Sequence, residues 1–310
     1  MNEGMQPPPA QPVIPVVEAG RHVLAWDDVR LEIDAATGGR VTALRLGGRD
    51  LLSGAAADAA NYGSTFWPSP QSAWGWPPLP EIDHAPYRVE VEPAAVVLRS
   101  AVSPVLGVAV DKRIAADAGR SAVLFEFSIH NRGVAPIRLA PWQITRVPPG
   151  GLSLFPTGAG IDPPCVPSNL AVREALGVTW YAYDAAAVTD HQKLFADGRE
   201  GWLAHIDGDR LLVKTFAAVP RDAQAPGEAQ IEIYATPAHT YVEVEAQGPY
   251  ETIAPGETLS WRVTWLVRRL PAGLPCAVGS GALLDFIRGA VETDRAFRGA
   301  VETDRAFARL

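Results

Sequence analysis

The chain is poor in cysteine, in long apolar runs and in positive charge, and each shortage excludes a class of protein. Only two cysteines, Cys165 and Cys276, occur in 310 residues, each beside a proline. Two such thiols form no paired-cysteine metal cluster and no disulfide-dense framework, although an exported protein could join them. No apolar run approaches the roughly 18 residues needed to cross a bilayer, so neither a membrane span nor a membrane partner is expected. Acidic residues outnumber basic ones 35 to 27, giving a formal charge of -8, and no basic stripe is present. Nucleic acid is therefore excluded as a partner. The sequence also lacks a glycine-rich phosphate loop, a nucleophile elbow and a His-Glu-x-x-His zinc motif, so no cofactor and no metal site are expected.

What is present is strand periodicity. In VRLEI, Val29, Leu31 and Ile33 point one way and Arg30 and Glu32 the other, which is the pattern of a half-buried strand. Similar segments recur at YRVEVEP, AVVLRSAV, VAVDKRIAAD, AVLFEFSIHN, IRLAPWQITRV, GWLAHID, RLLVKTF, AQIEIYA, YVEVEAQ and LSWRVTWLVRRL. Gly, Pro, Asn and Asp separate most of them, and no helical pattern intervenes. The predicted fold class is all-β, a large antiparallel β-sandwich with a C-terminal helix.

Three regions follow. Residues 1–20 carry five prolines between positions 7 and 15 and read as a flexible, Pro-rich arm. Residues 21–275 form the sandwich, and residues 276–310 a helical tail in which RGAVETDRAF occurs twice, at 288–297 and 298–307. A ten-residue step rotates an ideal helix by about 80° off whole turns, so the second copy is expected to pack poorly and fray beyond about residue 300. The N-terminus has neither a basic start nor a continuous apolar stretch, which argues for a cytoplasmic protein, or a periplasmic one if a leader has been removed.

Two segments stand out for chemistry. Residues 61–87, NYGSTFWPSPQSAWGWPPLPEIDHAPY, hold three of the nine tryptophans, Trp67, Trp74 and Trp76, together with six prolines. Proline removes amide donors, so the segment is expected to be an ordered rigid loop, neither central strand nor helix. Aromatic faces on such a loop suit the C–H faces of a pyranose, with Asn61, Gln71, Glu81, Asp83 and His84 offering hydrogen bonds; the plain alternative is a tryptophan cap on the sandwich. In YVEVEAQ, Tyr241, Glu243, Glu245 and Gln247 share one strand face. Spacing alone favours a solvated face; inside a concavity, burial would raise a carboxyl toward the range of a general base.

GGRVTALRLGGRDLL resembles the first hairpin of aldose epimerases, and Val244, Glu245, Ala246 and Gln247 are similar to the Leu-Glu-Thr-Gln segment around the mutarotase catalytic glutamate. With Ala-Pro-Gly-Glu at 254–257 and the last tryptophan-rich strand, the ordered set resembles the galactose mutarotase (aldose 1-epimerase) superfamily over roughly residues 22–271. FWPSPQSAWGWPP at 66–78 and APWQITR at 140–146 are similar to a bacterial branch of it. The resemblance implies a mono- or oligosaccharide ligand and Glu245 as base on a hexose or uronic acid. It also exposes a departure: where mutarotases carry a histidine acid followed by an aromatic residue, this chain has Leu139, Ala140, Pro141 and Trp142.

His191 is the first choice for a substitute acid, since a histidine titrates near neutrality; a solvated loop histidine is the alternative. Arg146, in an otherwise apolar strand, needs a partner. Lys193 and Lys214 are weaker candidates for a sugar hydroxyl or a uronate, with a surface lysine the default reading of each. The expected site is thus Glu245 and His191 for chemistry and Asn61, Trp74, Trp76, Arg146, Lys193, Glu243 and Gln247 for binding. Two functions follow: an aldose 1-epimerase-type isomerase, or a carbohydrate-binding protein that has lost the acid. A structural accessory domain is a third. Oligomeric state is not encoded in any motif.

Overall fold

Strand Thr258–Arg269 shows how the layers arise. Trp261, Val263, Trp265 and Val267 enter the main core, while Thr258, Ser260 and Arg262 on the opposite face are exposed. Four residues on, that opposite face is buried too: Leu266 joins a second apolar cluster beneath the helix Gly281–Phe307. A half-solvated strand thus becomes a fully buried one where a helix covers it. The structure, a computed structural model, describes residues 11–162 and 170–307.

Two antiparallel layers enclose the core. The front sheet runs Val16–Glu18, Arg21–Trp26, Val29–Asp34, Arg40–Leu46, Ser64–Ser69, Ile137–Val147, Val242–Gln247, Ile231–Ala235 and Gln192–Gly198. The back sheet runs Arg88–Glu92, Ala95–Arg99, Val108–Asp117, Ala122–Asn131, Thr258–Arg269, Arg210–Phe216 and Trp202–Asp207. Strand Leu152–Asp162 belongs to both. Its first half pairs with Trp202–Asp207 and Val178–Ala182 in the back sheet, and after a register shift beyond Thr157 it pairs with Gln192–Gly198 in the front sheet. The all-β sandwich with one long C-terminal helix is as the periodicity predicts. Phe66 of the front sheet stacks on Phe127 of the back at 4.5 Å.

Within the expected arm, the Val13 amide bonds to Ala116, Gln11 to Asp117, and Val16–Glu18 adds a strand to the front edge. The helix is capped by Ser280, whose hydroxyl accepts the Leu283 amide at 3.3 Å. Leu283, Leu284, Ile287 and Val291 form its buried stripe, each contributing roughly 1.5–3 kcal/mol. One helical turn beyond Val291 the stripe turns ionic: buried Asp294 accepts from Arg120 at 3.0 Å and Thr215 at 2.8 Å. The backbone stays helical to Phe307; the expectation for packing beyond residue 300 falls outside the described side chains. Cys276 is free and exposed, and Cys165 lies outside the described residues.

The proline-rich segment 61–87 corrects the sequence reading. Ser64–Ser69 is a front-sheet strand with a neighbour on each side, and Pro80–Asp83 is a short helix. Prolines are tolerated because of where they fall. Pro68 lies opposite Pro141 in register, so two missing donors share one rung, and Pro80 begins the helix, where its amide would have had no partner. Gly38 (φ +65°) lets the first hairpin touch this helix: a Cβ there would lie 1.8 Å from the Asp83 carbonyl oxygen.

Candidate functional site

Strand alternation projects one set of side chains from the outer face of the front sheet. Val242, Val244 and Ala246 enter the core, so Glu243, Glu245 and Gln247 face out. Ile231, Ile233 and Ala235 likewise send Glu232 and Tyr234 outward, and Leu194 and Ala196 send Lys193 and Phe195. On the facing strands Trp67, Trp142 and Ile144 pack together, with Trp74 against them.

Lys193 is the centre. Its Nζ lies 2.6 Å from Glu232 and 3.3 Å from Glu245, and sits 4.9 Å over the Trp142 ring. The Trp142 indole N–H donates to Glu245 Oε2 at 2.7 Å, and Gln247 Nε2 donates to Glu232 Oε1 at 2.7 Å. Glu232 and Glu245 are direct cross-strand partners, which puts their Cβ atoms about 4.5–5.5 Å apart. Both are 0% exposed. Beside them Arg146 Nε meets Glu243 at 2.9 Å, its guanidinium between the Trp67 and Tyr241 rings at 5.5 and 5.6 Å.

Trp67 links this ionic cluster to the proline-rich segment. Its indole N–H donates to Asp83 at 2.8 Å, Asp83 pairs with Arg40, and its ring meets Trp142, Trp74 and Trp76 edge-on. Trp76 is 62% exposed. The Gln71 amide donates to Glu228 at 3.0 Å, tying the tryptophan segment to the turn before Glu232.

Burial dominates the electrostatics. It pushes Glu232 up to about 8, with the nearby Glu228 charge adding and Lys193 opposing. Burial also raises Glu245 well above the usual carboxylate range, again against Lys193, and raises Glu228. For Lys193 burial alone would lower the ammonium; Glu232, Glu245 and Glu243 outweigh it and hold it above its ordinary value. Burial thus pushes both carboxyls toward their protonated forms around one ammonium, a coupled set that titrates as a unit.

The expected site residues are partly assembled. Glu243, Glu245, Gln247, Arg146, Lys193, Trp74 and Trp76 lie on this one face. Their strand face is not solvated as spacing alone favoured: Glu243, Glu245 and Gln247 are all buried, with Arg146 against Glu243, Trp142 and Lys193 against Glu245, and Glu232 against Gln247. Arg146 finds the partner it needed in Glu243. Lys193 is no surface lysine, and neither is Lys214, which points into the sandwich and donates to the Val244 carbonyl at 2.9 Å.

His191 is exposed at the rim, its Nδ1 bonded to the Tyr234 hydroxyl. Asn61 bonds through its backbone to Asp58, and among the described residues no hydrogen bond ties its side chain to the cluster. The expected site left out Trp67, Trp142 and Glu232. The alternation in IEIYA was the available signal for Glu232; Trp67 entered only as part of the aromatic segment, and Trp142 only as standing where the acid was expected. Among the described residues no group of three or more His, Cys, Asp or Glu side chains could hold a metal, and no helix is long and apolar enough to cross a membrane.

The layered sandwich and its outer polar face define a protein of the galactose-mutarotase-like fold. A candidate aldose 1-epimerase from Escherichia coli K12 superposes with a TM-score of 0.56 at 11% identity, covering 81% of this chain and 99% of that one. A galactose mutarotase-like protein from Clostridium acetobutylicum gives 0.52 at 9% identity, covering 83% and 98%. One from Lactobacillus casei gives 0.54 at 10%, covering 80% and 100%. Residues 21–268 match the family described as a domain of unknown function, DUF4380, and the chain belongs to that family. Among curated proteins no sequence matches it.

Proposed function

We propose that the protein binds carbohydrate at the mouth of the front face and does not use Glu245 as a free base. One observation carries this reading. Glu245 is 0% exposed, one oxygen taking the Trp142 indole N–H and the other facing Lys193. A general base must come within about 2.6–3.2 Å of the proton it removes, and a carboxyl sealed from solvent has no such reach. Trp142 also stands in the region where the resemblance leads one to expect the histidine acid. Sugar as ligand class is supported by the mutarotase-like fold and by Trp76, whose exposed indole offers a flat apolar face to a pyranose beside Trp74. His191 and Asn61 then serve as rim partners for hydroxyls. A glycan array tests the reading: binding to a sugar, lost in Trp76→Ala, is expected, and silence across neutral and acidic glycans would overturn it.

A second reading rests on the Glu232–Glu245 pair. Two facing carboxyls, both raised by burial and Glu232 to about 8, supply the pair of proton-exchanging groups that anomer interconversion needs, should the Gln71–Glu228 tie release. Accelerated anomer exchange abolished by Glu232→Gln would establish it. Exchange unaffected by that change would dismiss it.

A further inference from the structure

Among the described residues the back sheet ends in an open edge. There its outermost strand, Arg88–Glu92, pairs only with Ala95–Arg99, and four of its five residues are exposed. Glu92 is joined to its cross-strand partner Ala95 by two residues, Pro93 and Ala94. The pair closing a two-residue hairpin is hydrogen-bonded, and bonded and non-bonded pairs then alternate. Glu92, Glu90 and Arg88 therefore turn their amides inward, while Val89 and Val91 turn N–H and C=O outward.

We propose that this edge pairs with the same edge of a second copy of the chain, antiparallel about Glu90. In that register Val89 of one copy lies opposite Val91 of the other, twice, and the outward amides exchange four N–H···O=C bonds. The same two pairs join four valine side chains that are 38% and 51% exposed in the single chain. Arg88 falls opposite Glu92 of the second copy, a carboxylate that Arg113 of its own chain holds at 2.8 Å through one oxygen, in a non-hydrogen-bonded pair where Cα atoms approach to about 4.5 Å.

Charge complementarity selects this arrangement. Among the described residues Arg88 has no ion-pair partner, and within its own hairpin it faces another cation, Arg99. Glu90 meets its own copy, but each Glu90 is already held by Arg99 at 2.7 Å. Sliding two residues one way sets Glu90 against Glu92. Sliding the other way requires the Tyr87 amide, which is bonded to Ala35 at 2.8 Å. A one-residue slip puts every side chain on the wrong face.

Sedimentation velocity over a concentration series, with a cross-link, tests this. The wild type is expected to sediment as a dimer, and Val91→Pro as a monomer with unchanged far-ultraviolet dichroism, because only an outward amide is removed. Arg88→Glu, which leaves the backbone donors intact, shifts the dimer toward monomer. Glu90→Cys, with Cys165 and Cys276 changed to serine, closes a covalent dimer on oxidation. A wild type that is monomeric throughout, or a dimer indifferent to Val91→Pro and Arg88→Glu, overturns the proposal.

Discussion

Lys193 shows why burial, not charge count, decides what a residue does here. Its ammonium is the cation held against two fully buried carboxyls, so removing it leaves them without a counter-charge. Lys193→Met is expected to cost about 3–5 kcal/mol in urea unfolding. Proton linkage gives a second prediction. Glu232 is raised to about 8 by burial, so the native state binds more protons than the unfolded chain between about pH 4.5 and 8, and this contribution falls as pH rises. Glu245 and Glu228 shift the same way; His205, lowered to about 4 by burial, opposes them only below about 6.5. Lys112 and Lys214 are lowered to about 7 by burial. The unfolded chain therefore binds more protons between about pH 7 and 10, and stability rises with pH there. Unfolding free energy should pass through a minimum near pH 7–8; a maximum in that window would refute the assignment.

At the scale of elements, periodicity made the strands legible because alternation survives wherever one face meets the core. Glu243, Glu245 and Gln247 were correctly placed on one face by period alone. Their burial was illegible, since it depends on Arg146, Trp142, Lys193 and Glu232 from neighbouring strands. Ser64–Ser69 was hidden by its prolines, because the coincidence of Pro68 with Pro141 is a fact of register between strands far apart in sequence. Lys193, Glu232 and Trp142 come from three different strands, and only pairing brings them together. The helix is the other element that tests cleanly. Asp294 is 2% exposed and holds Arg120 and Arg298; Arg120 keeps Asp117 at 2.7 Å without it, so Asp294→Ala is expected to cost about 1.5–3 kcal/mol, the loss of its charge-assisted hydrogen bonds. A loss below about 1 kcal/mol would show that the ionic end of the stripe is not needed for docking.

For the whole molecule, the mutarotase-like sandwich carries an ionic cluster on its front face. Lys193 lies between Glu232 and Glu245, and Trp142 holds Glu245. What remains open is the aromatic mouth, so Trp76→Ala is expected to weaken sugar binding at least tenfold with stability unchanged, read by titration calorimetry on an array-selected glycan. The most direct test of the central claim is exchange NMR of α and β anomers for a panel of reducing sugars, with wild type and Glu245→Gln in parallel. The account predicts no acceleration of exchange by either protein, including for a sugar that binds. Acceleration by the wild type that Glu245→Gln abolishes would contradict it.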